Sequence, residues 1–453
     1  MRTPFNNLVN KRERNAAPKS SKGWRPSVGM DYLCCSEQSS RLDGEDFLET
    51  KLRRHPSIAG VVVSELDPSS PTLCATTCAG YATRPPSGRD DEAGGVLMAP
   101  ELSLQVGDLS KTVAAAFALE VFAERGFDVD APVNAQLREL HSDFVLGGSN
   151  DDAAGWAEDV TLGQLCEHTA LGAYSVPGMR PGELPGPMQL LRAARDSKPM
   201  LVDRPPGIEF KYGDLGYLVL EMILELILRQ PVRYAIKPFL RKLGLQGYTF
   251  YSASNDQVDG YGDDGGRVEP HGGLVYPPLA TGGRCPAPVY AHFLWHLARA
   301  YAVDDAAAPI SRATAARMLG ESRLVDGGAV DDLGARAGLG VFVLDCGPNK
   351  VMAHQAATEG FRGIYVVCFD GPAAASGPSG FVVLANGDEQ ASFLLADVCQ
   401  SMLRKLDWDG LDLSKLENPA YAADMIKHTP KELVANTSYK ELVFKAFAPA
   451  SAA

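Results

Sequence analysis

Four short apolar runs near the C-terminus, LGVFVLD (339–345), KVMAHQ (350–355), GIYVVCFD (363–370) and GFVVLAN (380–386), are separated by Gly, Pro and Asp turns. Runs of that length with that punctuation read as consecutive antiparallel strands. A fifth run, IAGVVVSELD (Ile58 to Asp67), is rich in β-branched residues and lies near the other end of the chain, with a further strand expected over Leu73–Tyr81. Helical patterns fill the space between, most clearly Ser110–Glu124 and Gly216–Gln230. A short amphipathic helix over 46–55 precedes the first strand, and a helix over Gln390–Leu406 follows the last. The simplest architecture is an α+β fold. One antiparallel sheet is built from both chain ends and flanked by helices, and a mainly helical lobe is inserted. A cleft between two such lobes is a common ligand site. The expected division is a basic, extended tail over 1–45 and a domain over 46–408, followed by a C-terminal extension over 409–453. Within the domain, 46–100 and 331–408 form the sheet lobe and 101–330 the helical lobe. No internal repeat is visible.

Composition constrains function more than fold. Of 453 residues, 45% are hydrophobic and 22% charged, ordinary values for a globular protein. The net charge of −13 disfavours nucleic-acid binding by the bulk of the chain. No apolar run reaches the ~20 residues needed to cross a bilayer. The first thirty residues depart from this pattern, with seven Lys/Arg against one acid, Glu13. No apolar segment follows these charges, so a secretory signal is not expected, whereas the Arg content leaves a mitochondrial presequence open. The stretch reads either as a solvated tail or as a basic arm lying on an acidic partner. The nine cysteines are odd in number, scattered and without a CxxC pair. They point to a reducing, intracellular setting, cytoplasmic or cytoskeletal, with a mitochondrial one open.

Five segments in order carry a family resemblance: IAGVVVSELD, LSKTVAAAFALEVFAERGFDVDAPV, TLGQLCEHTALG, PGIEFKYGDLGYLVLEMILELI, and HQAATEGFRG with GFVVLANGD. Together they resemble the serine β-lactamase and penicillin-binding-protein superfamily, in its class C, esterase-like branch, from about residue 46 to 408. The resemblance implies a nucleophile Ser-x-x-Lys, a Tyr-x-Asn, and a His/Lys-Thr/Ser-Gly on the edge strand that holds substrate and helps form the oxyanion hole. Here the three read Asp108-Leu109-Ser110-Lys111, Tyr212-Gly213-Asp214 and His354-Gln355-Ala356. Lysine, tyrosine and histidine survive. The attacking serine, the amide and the bare glycine do not.

These changes reinforce one another. A carboxylate at position 108 should pair with Lys111 and favour its charged form, and a protonated lysine cannot act as a base. Asp214 adds a second negative charge and, ionised, donates nothing. Ser110 adjoins Lys111 and should point about 100° around the helix from it. Asp108 has two readings: an N-cap paired with Lys111, or a catalytic carboxylate. Tyr212 reads as a residual pocket tyrosine or as an acid/base. His168 is expected to be structural beneath the cleft, and the glycines at 282–283 and 338–340 to sit in turns. His292 and His296 in HFLWH lack the Glu of a metalloprotease helix, and no phosphate loop occurs, so no cofactor or metal is expected.

The preferred expectation is a catalytically inactive member of the fold with a structural or interaction role in a larger intracellular assembly, its protein partners met partly through the basic tail. The alternative is a hydrolase or transferase of esters or amides working through Asp108, Lys111 and Tyr212. A weaker third is a small-molecule binder using the same cleft.

Overall fold

The computed structural model describes residues 45–69, 73–85, 94–171, 187–188, 191, 201–250, 258–268, 277–320, 323–324 and 335–412. The basic stretch before residue 45 and nearly all of the C-terminal extension lie outside the described residues.

In chain order, helix α1 (Glu45–Leu52) leads into strands β1 (Gly60–Leu66), β2 (Cys74–Thr83), β3 (Val96–Leu97) and β4 (Leu104–Gly107). Helices α2 (Ser110–Arg125) and α3 (Val133–Glu139) follow. Next come β5 (Gly147–Gly148), α4 (Asp151–Asp159), α5 (Leu162–Cys166), β6 (Leu201–Val202) and α6 (Leu215–Leu228). Then α7 (Val232–Ala235), α8 (Lys237–Lys242), β7 (Gly283–Cys285), α9 (Ala287–Ala302) and α10 (Arg312–Ala315) lead to β8 (Arg323–Leu324). The chain closes with β9 (Arg336–Gly338), β10 (Val341–Cys346), β11 (Asn349–Thr358), β12 (Phe361–Asp370), β13 (Ser379–Ala385) and α11 (Ala391–Leu406).

Nine strands form one sheet in the order β3-β2-β1-β13-β12-β11-β10-β9-β8. The two chain ends meet where β1 pairs antiparallel with β13, Val61 opposite Ala385 and Val63 opposite Val383. β10 to β13 run antiparallel to their neighbours. Side chains alternate across this sheet, and both faces are covered. Tyr365, Val367 and Phe369 join the core that contains α2, α6 and α9, while Ile364, Val366 and Cys368 pack with α1 and α11. Burial on both faces is why these strands read as unbroken apolar runs instead of alternating ones.

Two expectations need correction. The motif strand β11 lies inside the sheet, between β12 and β10. The β10 ladder, however, ends at Phe342 opposite Ala353, so only the half from His354 to Thr358 presents an edge. Gly283 and Gly338 sit within strands β7 and β9, and only Gly340, at φ +71, occupies a turn that favours glycine. The middle of the chain also contains the short strands β4, β5, β6 and β7, which are too brief to show a period.

Candidate active site

Four pieces of chain converge at the start of α2: the β4–α2 junction, the segment before α6, the stretch before β7, and the open half of β11. Gly107, at φ +50, permits the approach. A Cβ there would lie 2.9 Å from Thr358 Cγ2 and 3.1 Å from the Ala356 methyl. On the other side of the first turn, a Cβ on Gly340 would lie 2.5 Å from the Lys111 carbonyl.

Lys111 is fully buried and its ammonium is fully used. Nζ donates to Asp108 Oδ1 at 2.6 Å, to Asp214 Oδ1 at 2.8 Å and to the Ala280 carbonyl at 3.2 Å. Three N–H donors thus meet three acceptors. The charge also lies 4.9 Å from the centre of the Tyr212 ring and 5.7 Å from that of Tyr217, within cation–π range. Burial alone would depress the lysine, but the charges of Asp108 and Asp214 and their hydrogen bonds raise it well above its ordinary value.

Asp108 is the outward member, its side chain 14% exposed. Its Oδ1 also accepts from the Tyr212 hydroxyl at 3.0 Å, and its Oδ2 accepts from the backbone N–H of Ala357 at 3.1 Å. Burial opposes its ionisation. Lys111's charge and hydrogen bond, the nearby His354 and the Ala357 N–H outweigh that and hold its carboxyl at about 2. Asp108 is therefore not the N-cap expected from sequence: Leu109 occupies that position, without a side-chain cap. The carboxylate has turned to the lysine and to β11, where ionic and backbone donors are both within reach.

Ser110 is buried and points away from this cluster. It donates to the Gly107 carbonyl at 2.6 Å and accepts from the Gly283 N–H at 2.8 Å, joining the ends of β4 and β7. His354 packs against Phe342, Tyr212 and Tyr365, with Nδ1 2.8 Å from the Gln355 carbonyl. Its ring belongs to the aromatic wall behind the cluster. His168, at φ +62, packs against Tyr212 with ring centres 4.4 Å apart and the rings tilted by 39°, and its Nδ1 accepts from the Gly213 N–H. His292 and His296 stack on each other on α9. Asp108, Lys111, Tyr212, Asp214 and His354 thus meet in one cluster. The Ala280 carbonyl, the Ala357 N–H and the Tyr217 ring complete it. The two backbone groups leave no mark in a side-chain alphabet. Tyr217 could have been found, one helical turn past Asp214 and facing the same lysine.

The family profile described as Beta-lactamase matches residues 50–397. The chain belongs to the Beta-lactamase family. Solved structures with the same fold include the D-amino acid amidase from Ochrobactrum anthropi SV3, at 14% identity and TM-score 0.57, covering 80% of this chain and 99% of that one. An octameric penicillin-binding protein homologue from Pyrococcus abyssi is 20% identical at TM-score 0.60, covering 81% of this chain and 77% of its own. A β-lactamase/D-alanine carboxypeptidase from Pseudomonas syringae is 17% identical at TM-score 0.57, covering 78% and 97%. At these identities the likeness establishes the fold. No curated protein matches the chain in sequence. Among the described residues no helix is long and apolar enough to cross a membrane, and no group of three or more His, Cys, Asp or Glu is arranged to hold a metal.

Proposed function

We propose that this Beta-lactamase family member does not perform serine acyl transfer and that its cleft is an ion cluster serving a structural or interaction role in a larger intracellular assembly. The observation that carries the reading is the double engagement of Asp108. One oxygen binds the lysine that would otherwise be the base, and the other takes the Ala357 N–H on the strand where a substrate carbonyl would be polarised. A base whose three protons are held by two carboxylates and a carbonyl has no lone pair to offer. An oxyanion donor already bonded to a carboxylate must lose that bond before it can act.

The hydrolase reading has one observation of its own. The Tyr212 hydroxyl donates to a partly exposed, ionised carboxylate, the arrangement that an acid/base pair acting on an ester or amide would need. The names of the related proteins, an amidase and a carboxypeptidase, describe hydrolysis in those proteins.

The two readings part on a labelling experiment. Wild-type protein is challenged with chromogenic esters and a fluorescent penicillin, beside Asp108→Ser and Asp108→Ser/Asp214→Asn. The wild type should be silent. Asp108→Ser alone should stay weak, because Asp214 still holds Lys111 charged. The double variant should label at least about 10²-fold faster than the wild type, the lower range of what a working general base contributes. Wild-type turnover that disappears in Asp108→Ala would establish the hydrolase instead.

A further inference from the structure

Away from the cleft, the chain from Leu226 to Phe250 contains five Lys/Arg and no Asp or Glu, in a protein of net charge −13. This stretch holds α7 and α8. Ile236, which joins them, is itself helical at φ −72, ψ −20, so Val232 to Lys242 is one nearly continuous helical run. Its inner face is spent on the core: Val232, Ile236, Phe239, Leu240 and Leu243 are each at most 9% exposed. Arg233, Lys237 and Arg241 follow one another at i, i+4 and i+8, which places them in a row along the outer face. Tyr234 lies beside that row, 51% exposed. The Arg233 guanidinium stands 4.9 Å from the centre of its ring and the Lys237 ammonium 5.3 Å. No ion pair among the described residues ties Lys237, Arg241 or Lys242 to a carboxylate, whereas most other cationic groups near acids are so paired.

We propose that the Arg233–Tyr234–Lys237–Arg241 face is a docking surface for an acidic, extended segment of a protein partner. Spacing argues for the extended form. Residues four apart on a helix rise about 6 Å. Alternate residues of an extended chain are about 6.6 Å apart, so carboxylates at every second position fall opposite successive cations. The tyrosine ring holds two of the cationic heads in place, which lowers the ordering cost of binding. Insertion into a lipid surface is disfavoured because the apolar face of this run is already buried in the core. A long nucleic acid leaving the row would meet the acidic remainder of the surface, and a short acidic segment need not. The surface is independent of the cleft, so its test does not depend on whether Asp108 is catalytic.

The test is fluorescence anisotropy of a labelled twelve-residue peptide of alternating Glu and Ser, titrated with the full chain. Binding should weaken steeply with added salt. Arg233→Glu/Lys237→Glu/Arg241→Glu should weaken it at least tenfold. Lys237→Glu/Arg241→Glu, which spares Arg233 and the field it exerts on Glu221 and Glu225 of α6, should weaken it severalfold with the circular dichroism unchanged. A charge-matched control, Arg53→Glu/Arg125→Glu/Arg404→Glu, should leave it unchanged. The proposal is overturned if both row variants bind as the wild type does. It is equally overturned if the control loses as much affinity, or if oligothymidylate or phosphatidylserine vesicles bind the row more tightly than the peptide.

Discussion

Lys111 has two carboxylate neighbours, and its energetics follow from having both. Removing a cation from a buried pair leaves the partner charge without compensation, at a cost of about 3–5 kcal/mol. Lys111→Met should therefore lower the unfolding free energy measured by urea titration at neutral pH by an amount in that range. Asp108, held at about 2 against an ordinary 3.8, contributes stability that is present above pH 3.8 and is lost as the pH falls toward 2. Lys111→Met should lose that contribution, so the gap between the wild type and this variant should narrow from about pH 4 downward. Neutralising all three groups together, as Lys111→Met/Asp108→Asn/Asp214→Asn, should recover most of the loss; if the triple variant is no more stable than Lys111→Met, the charges are not the cause. At this scale the sequence was informative. Two residues at one-turn spacing announced the Asp108–Lys111 pair, and the Tyr212-Gly213-Asp214 triplet pointed to the third charge. The capping expectation failed because a side chain can reach only one set of donors. Here the lysine ammonium and the Ala357 N–H compete successfully with the helix N-terminus.

Helix α6 runs from the site into the core and carries ionisable groups at both places. Asp214 precedes its first turn, and Tyr217 in that turn faces Lys111. Farther along lies Glu221, 2% exposed, whose Oε2 accepts from the Leu279 N–H. Leu279 adjoins Ala280, whose carbonyl is the third acceptor of the lysine. Burial and then the charge of Glu225 push Glu221 up to about 8, against the Leu279 N–H and Arg233, which pull it down. A carboxyl raised in the folded state adds stability that is complete below its ordinary 4.5 and is lost as the pH rises through about 8. Stability measured by urea titration should thus fall across pH 4.5 to 8, and Glu221→Gln should flatten that slope; an unchanged slope would place the titration elsewhere. Nothing in LVLEMILELIL marks Glu221 as different from Glu225, because an acid inside an apolar helix reads the same whether it is buried or at the rim. The strands past Gly338 were legible because both faces are buried and the runs are unbroken. The place of β11 was not, since strand order depends on partners from distant parts of the chain.

At the scale of the whole molecule, the sheet joins strands from opposite ends of the sequence. β1 enters between β2 and β13, and Val61 faces Ala79 on one side and Ala385 on the other. Its two flanking helices, α1 and α11, likewise come from the two ends and share one core, with Lys51 and Asp397 2.5 Å apart across it. No short stretch of chain contains both partners of this seam, so β1 is not flanked on both sides until the last strand is available. Long-range pairing of this kind must meet the loop-closure cost before contacts repay it, and it slows folding. Ending the chain after Asp370 removes β13 and α11 and leaves β1 and β12 with bare, apolar edges. Such edges invite pairing between molecules. The shortened protein should accumulate as aggregate while the full chain remains soluble. In the full chain, amide exchange should be slowest in β1, β12 and β13, with exchange from these three strands rising together as denaturant is added. A soluble, monomeric product from the shortened chain, or β1 exchanging well before β12, would show instead that the N-terminal half folds without its C-terminal partner.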